Sequence, residues 1–166
     1  MMSTTLTTQD QLARFLAFSA EVTAFSVFQL RGTGQAESYF ATVKDVVGES
    51  TLTELLDAYG AVAPADRSDA AASERRSQRL RQSIFDHGKL GPIARNVIKL
   101  WYIGTWFELP SAWARSYGPL PKNLTFVVSP SSYVEGLLWP AIGAHPAGAK
   151  AQGFGSWAEP PKIPPF

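Results

Sequence analysis

The sequence predicts an all-α fold, a small helical bundle around one buried central helix (about 91–108) with a long, mostly irregular C-terminal arm. Three observations carry this. Between Gly91 and Phe107, the apolar residues Ile93, Val97, Leu100, Gly104 and Phe107 recur at helical spacing, and Ile98, Tyr102 and Trp106 add a second row. A helix apolar around most of its girth must be covered on several sides. Amphipathic segments with helix-start and helix-stop residues precede it. Beyond Leu109 the texture changes, with most of the 12 prolines lying from Pro110 onward, which forbids a long helix there.

Taken in order, Thr7 or Thr8 is a candidate N-cap, with Asp10 or Gln11 three residues on. Leu12, Phe15, Leu16, Ser19, Val22 and Ser26 mark one face of a first helix, which should stop near Arg31 because Gly32-Thr33-Gly34 follows. A second helix fits 35–47, with Tyr39, Phe40, Val43 and Val47 on one face and Gly48 closing it. Thr51-Leu52-Thr53-Glu54 reads as a capping box for a third, short helix ending at Gly60. Residues 61–73 read as a loop, and Ser73–Phe85 as a surface helix with Leu80 and Ile84 on its thin apolar edge. In the central helix Pro92 suits the first helical position. Gly104 costs about 1 kcal/mol against Ala in a helix, which makes sense if another backbone approaches closely. Only Arg95, Asn96 and Lys99 form a polar stripe. In the arm, a short helix over 131–139 capped by Ser129 or Ser131 is expected, and Leu124–Val128 carries a weak strand signal.

The 166 residues suit one domain, a helical body of about 7–108 plus the arm of about 109–166. An apolar fraction of 45% supports a core, and a net charge of +1 gives no electrostatic reason to expect nucleic acid. With no cysteine, a disulfide framework, a thiolate metal site and a Cys nucleophile are excluded. No stretch approaches the roughly 18 apolar residues that span a bilayer, and no leader precedes Leu6. The chain as written is expected to be cytoplasmic, with the periplasm the alternative if a leader has been removed.

No catalytic set emerges. His87 and His145 lack a metal-ligand spacing; Gly32-Thr33-Gly34 lacks the third glycine of a dinucleotide fingerprint; Gly153-Phe154-Gly155-Ser156 is no nucleophile elbow. The arginine run Arg75–Arg81 reads as a solvated helix face, with an anion-binding module as the alternative. Asn123-Leu124-Thr125 is a glycosylation sequon. A small enzyme using Tyr102, Glu108 or His145 is a rival reading. The aromatic residues of the arm, Trp113, Tyr117, Phe126, Tyr133, Trp139, Phe154 and Trp157, point instead to a partner surface, where Trp and Tyr are favoured anchors.

Three blocks carry a family resemblance. Leu100-Trp101-Tyr102-Ile103-Gly104 is similar to a Trp-Tyr-x-Gly block. Ser132-Tyr133-Val134-Glu135-Gly136-Leu137-Leu138-Trp139 is similar to a Ser-Tyr-x-Glu-Ala-Leu-x-Trp block, with Gly136 in place of Ala. Gly153 to Pro161 is similar to a C-terminal Gly-x-Trp-Ala-x-Pro-Pro block. In this order they resemble the small (gamma) subunit of FAD-dependent sugar dehydrogenase complexes, the family of sorbitol, fructose and glucose dehydrogenases and of glycoside 3-dehydrogenase complexes. The resemblance implies a non-catalytic accessory subunit. No cofactor would sit in this chain; FAD would sit in a large partner subunit of the glucose-methanol-choline class, and in some complexes a cytochrome c subunit takes the electrons. Trp101, Tyr102, Gly104, Tyr133, Trp139, Phe154, Trp157 and Pro160 are then the candidates for partner binding or arm packing, across an expected interface of roughly 2,000 Å² or more.

Overall fold

A computed structural model describes residues 7–62, 64 and 69–150. The chain is all-α, with a single minor two-stranded sheet among the described residues. Helix α1 spans Thr8–Thr23 and opens on the expected capping box, in which Thr7 and Asp10 bond each other's backbone N–H. Phe15, Leu16, Phe18 and Ser19 face inward.

The first helix does not run to Arg31. It breaks at Ala24, which is left-handed (φ 63°), and restarts as α2, Val27–Gly32. Ser26 was expected on a helix face, but it is the N-cap of α2 and forms a reciprocal capping box with Gln29. The Thr23 carbonyl, freed by the break, accepts the Tyr102 hydroxyl at 2.9 Å. Helix α3, Ala36–Val47, follows the predicted span and buries Tyr39, Phe40, Val43 and Val47 before Gly48. Helix α4, Glu49–Ala61, begins directly after Gly48, so the Thr51 box is not its cap and Gly60 lies inside its last turn. Helix α5, Ala70–Leu80, starts from an Asp69 cap and passes into a π-helical turn, Arg81–Phe85, that buries Ile84.

The central helix α6 is Leu90–Ile103, shorter than expected at its carboxyl end. Gly104 (φ 66°) terminates it, and Thr105–Trp106 then form β1, paired antiparallel with β2, Phe126–Val127. Pro92 is therefore its third residue, not its first. Ile93, Val97 and Leu100 of the first predicted row are fully enclosed, and so are Ala94 and Trp101, which belong to neither row, whereas Ile98 and Tyr102 of the second row are half-buried. Asn96 departs from the predicted polar stripe: it is buried, and its amide both donates to the Phe107 carbonyl (2.8 Å) and accepts from the Phe107 N–H (3.2 Å). One side chain thus satisfies two backbone groups that a strand neighbour would otherwise serve.

The C-terminal region is less irregular than its prolines suggest. Helix α7, Ser111–Tyr117, was not anticipated; it buries Trp113, whose indole N–H reaches the Lys89 carbonyl at 2.9 Å. The expected helix over 131–139 is two short helices, α8 (Pro130–Val134, capped by Ser129) and α9 (Leu138–Ala141). The helix is interrupted because the Leu137 N–H is drawn to the Trp101 carbonyl (2.9 Å) while its side chain enters the core. Leu109, Trp113 and Leu137 share one apolar cluster with α1, α3, α4 and α6, so residues after 108 help to build the body's core. No described helix is long and apolar enough to cross a membrane.

Candidate partner surface at the end of the central helix

The carboxyl end of α6 leaves carbonyls without intrahelical partners, and the chain from 128 to 137 supplies them. Gly104 O accepts from Val128 N (3.0 Å) and from the Ser132 hydroxyl (3.1 Å), and Trp101 O from Leu137 N. The approach is tight enough to dictate residue size. A Cβ on Gly104 would lie 2.5 Å from Ser132 Oγ and 2.7 Å from the Ser132 backbone. One on Gly136 would lie 2.6 Å from the Tyr102 carbonyl. The predicted close approach at Gly104 is thus met, by the α8 backbone.

Trp101 lies in the core, 4.9 Å from the Tyr39 ring and 6.5 Å from that of Phe15. It and Gly104 hold the C-terminal segment in place and present nothing outward. Tyr102 is half-buried, with its ring edge-on to Phe25 and its hydroxyl on Thr23. Tyr133 and Trp139 do reach the surface. Their rings stand edge to face at 5.4 Å, and the Trp139 indole N–H is held by the Tyr133 carbonyl at 2.8 Å. Tyr133 is 41% exposed and Trp139 half-buried, and Ile142, three residues on in sequence, is 61% exposed. Phe154, Trp157 and Pro160 lie outside the described residues.

Several functional positions escaped the sequence reading. Asn123 is a clamp: its side-chain oxygen accepts from Trp106 Nε1 (3.2 Å) and Leu109 N (2.9 Å), while Thr125 accepts from Glu108 N (3.0 Å). The Asn123 and Thr125 oxygens of the sequon thus serve groups of residues 106–109, while Leu124 is exposed. Phe28 on α2 is 86% exposed, a second apolar projection. Ser19 Oγ, Tyr39 Oη and Trp101 Nε1 are buried without a hydrogen-bond partner in the structure. Burial pushes the Tyr39 phenol well above the usual tyrosine range; the Glu135 charge adds to this, and Ser132 opposes it.

The arginine run is not simply a solvated face. Arg76 grips Glu21 with two bonds (2.6 and 2.7 Å), donates to the Val62 carbonyl (2.7 Å) and lies over the Tyr59 ring. Tyr59 donates to Glu21 at 2.9 Å, and burial, then Glu21, raises its pKa. This cluster lines an open groove of about 830 Å³ between α1 and α5. Of the rival catalytic residues, Tyr102 bonds Thr23, Glu108 is exposed, and His145 Nδ1 lies 3.3 Å from Pro146 O; no hydrogen bond joins any two of them. His87 Nδ1 accepts from Leu90 N (3.3 Å) at the start of α6. The described residues contain no group of three or more His, Cys, Asp or Glu side chains suited to hold a metal ion.

The chain matches no protein-family model, no curated protein and no solved structure.

Proposed function

We propose that this chain is a non-catalytic accessory and maturation subunit of an FAD-dependent sugar or glycoside dehydrogenase, stabilising a flavoprotein of the glucose-methanol-choline type. One observation carries the reading. The two described blocks that resemble the small-subunit family, Leu100–Gly104 and Ser132–Trp139, interlock in space although about thirty residues apart. Gly104 meets Ser132, Trp101 meets Leu137, and Tyr102 meets Gly136. Their small residues are demanded by that contact, and the Tyr133 ring is left exposed, edge to face with the half-buried Trp139 ring. Rigid aromatic anchors on a fixed backbone are suited to a protein interface. FAD and the redox chemistry belong to the partner in this reading, with a cytochrome c subunit as an optional electron acceptor.

Co-expression with a flavoprotein encoded beside it tests the proposal. The expected result is a yellow complex that exchanges no subunits during purification and loses at least tenfold in affinity when Tyr133 and Trp139 are both changed to Ala. Substrate turnover by this chain alone, or a flavoprotein that folds and works equally well without it, would overturn the reading.

A further inference from the structure

We infer that α5 is a hinged strap: it opens from the body about the π-helical turn Arg81–Phe85, and the Arg76–Glu21 ion pair is the latch that holds it shut. The inference goes beyond the flavoprotein reading and does not need it. Packing does not hold α5. Of its 11 residues only Leu80, the last, is buried; Ala72, Ser73 and Arg76 are half-buried and the others exposed. Its chief neighbour is the π-helical turn that continues it. A helix this short draws its stability from a packed apolar face, and this one has none. Charge does the holding instead. Among the described residues, every hydrogen bond that an α5 side chain gives to the body comes from Arg76. Its Nε and Nη2 grip the Glu21 carboxylate on α1 at 2.6 and 2.7 Å, its Nη1 reaches Val62 O beyond the end of α4 at 2.7 Å, and its guanidinium lies over the Tyr59 ring. The Arg76 side chain is 15% exposed and that of Glu21 29%. The pair is sheltered enough for a two-pronged charged contact to be strong, yet water reaches it when the contact breaks.

The pivot is built differently. The turn closes with Asp86 N on Arg81 O at 2.8 Å, the wide ring of a π-helix. Its far side is pinned to α6. Ile84 is fully buried, the Phe85 carbonyl accepts from Arg95 at 2.9 Å, and a Cβ on Gly91 would lie 2.4 Å from the Phe85 oxygen. Arg81, Gln82 and Ser83, on the near side, are exposed, so a movement of α5 ends at Ile84. The strap covers the groove of about 830 Å³, with Ala20 and Tyr59 on the body side and Ser73, Arg76 and Ser77 on the α5 side. Opening brings the Tyr59 ring, which stands edge-on to Phe18 at 5.5 Å, into water and leaves Phe18 in the core.

The absence of native cysteine lets nitroxide spin labels report the movement in the full chain. Labels at Ala17→Cys and Ser77→Cys span the groove, and labels at Ala17→Cys and Ala41→Cys measure the body; all three positions are exposed. With Arg76 in place the groove pair should show one short distance. Arg76→Ala should add a longer one, raising the ratio of open to closed about tenfold or more, with the body pair unchanged. Salt at about 1 M, where the Debye length is about 3 Å, should shift the chain that keeps Arg76 in the same direction and leave the Arg76→Ala chain where it was. A groove distance indifferent to Arg76→Ala would overturn the inference. So would a body pair that broadens along with it, since Arg76 would then support the whole fold, and so would an equal salt response in both chains.

Discussion

Replacing Gly104 by Ala separates two costs that are usually confounded. The residue sits at φ 66°, where any Cβ is strained by about 1–2 kcal/mol. Its Cβ would also fall 2.5–2.7 Å from the hydroxyl and backbone of Ser132, and forcing extra volume into a packed site costs about 1–3 kcal/mol. The sum is about 2–5 kcal/mol. Gly34 provides the control: it has φ 68° but nothing within 4 Å of a built Cβ, so Gly34→Ala should cost only the backbone part. For a chain of this size roughly 2–4 °C is lost per kcal/mol. Melting should therefore drop by about 5 °C for Gly34→Ala and by about twice that or more for Gly104→Ala. Hydrogen exchange reads the cause, because the amides of Val128 and Leu137 bond Gly104 and Trp101 and should lose protection in the Gly104 variant alone. If both variants melt alike, or exchange at Leu137 is unchanged, the close approach of α8 is not what fixes this glycine.

Asn96→Leu should cost about 2–4 kcal/mol, since two Phe107 backbone groups lose partners beneath β1; a urea midpoint equal to wild type would contradict that accounting. Ser26→Ala should remove about 1 kcal/mol by uncapping α2, with the loss confined to exchange in residues 27–32. Tyr39→Phe should be close to neutral or stabilising at pH 7, because its buried hydroxyl has no hydrogen-bond partner. The same residue sets an alkaline limit. Its folded pKa is raised above the ordinary tyrosine value of about 10, chiefly by burial, so its contribution is intact below pH 10 and is lost as pH climbs toward the folded value. Urea midpoints measured from pH 8 to 11 should fall above pH 10 in wild type, and less steeply in Tyr39→Phe.

The elements legible in the sequence were those with local causes. Thr7 and Asp10 speak across three residues, and the Tyr39–Val47 face and the Ile93–Leu100 rows follow helical spacing, so α1, α3 and the heart of α6 sit where periodicity puts them. The failures share a different cause. Ser26 fits a helix face as well as a cap, and the break before it depends on Tyr102, 79 residues away, claiming the Thr23 carbonyl. Phe107 continues the apolar rows of α6, yet Gly104 ends the helix because Ser132 must pass there. Leu137 interrupts a helix to serve Trp101. At the candidate surface, the Trp101–Tyr102 and Tyr133–Trp139 blocks were both visible as motifs. Which rings face inward was not, since equal spacing in the sequence carries no sign of what lies beyond 30 residues. Asn96 and Asn123 were invisible as structural residues for a simpler reason: a side-chain amide declares itself only through the groups that it serves.

The closure of α6 by residues 128–137 also orders events during synthesis. Until the ribosome has released Leu137, the Trp101 carbonyl has no donor and the apolar cluster that Leu137 completes stays open to water. Every nascent chain therefore passes through a stage in which most helices exist but the hydrophobic interior is unsealed. A premature stop anywhere before that codon would release a sticky fragment, and a chaperone meeting this protein would find its binding site there, on the side that residues 128–137 shut.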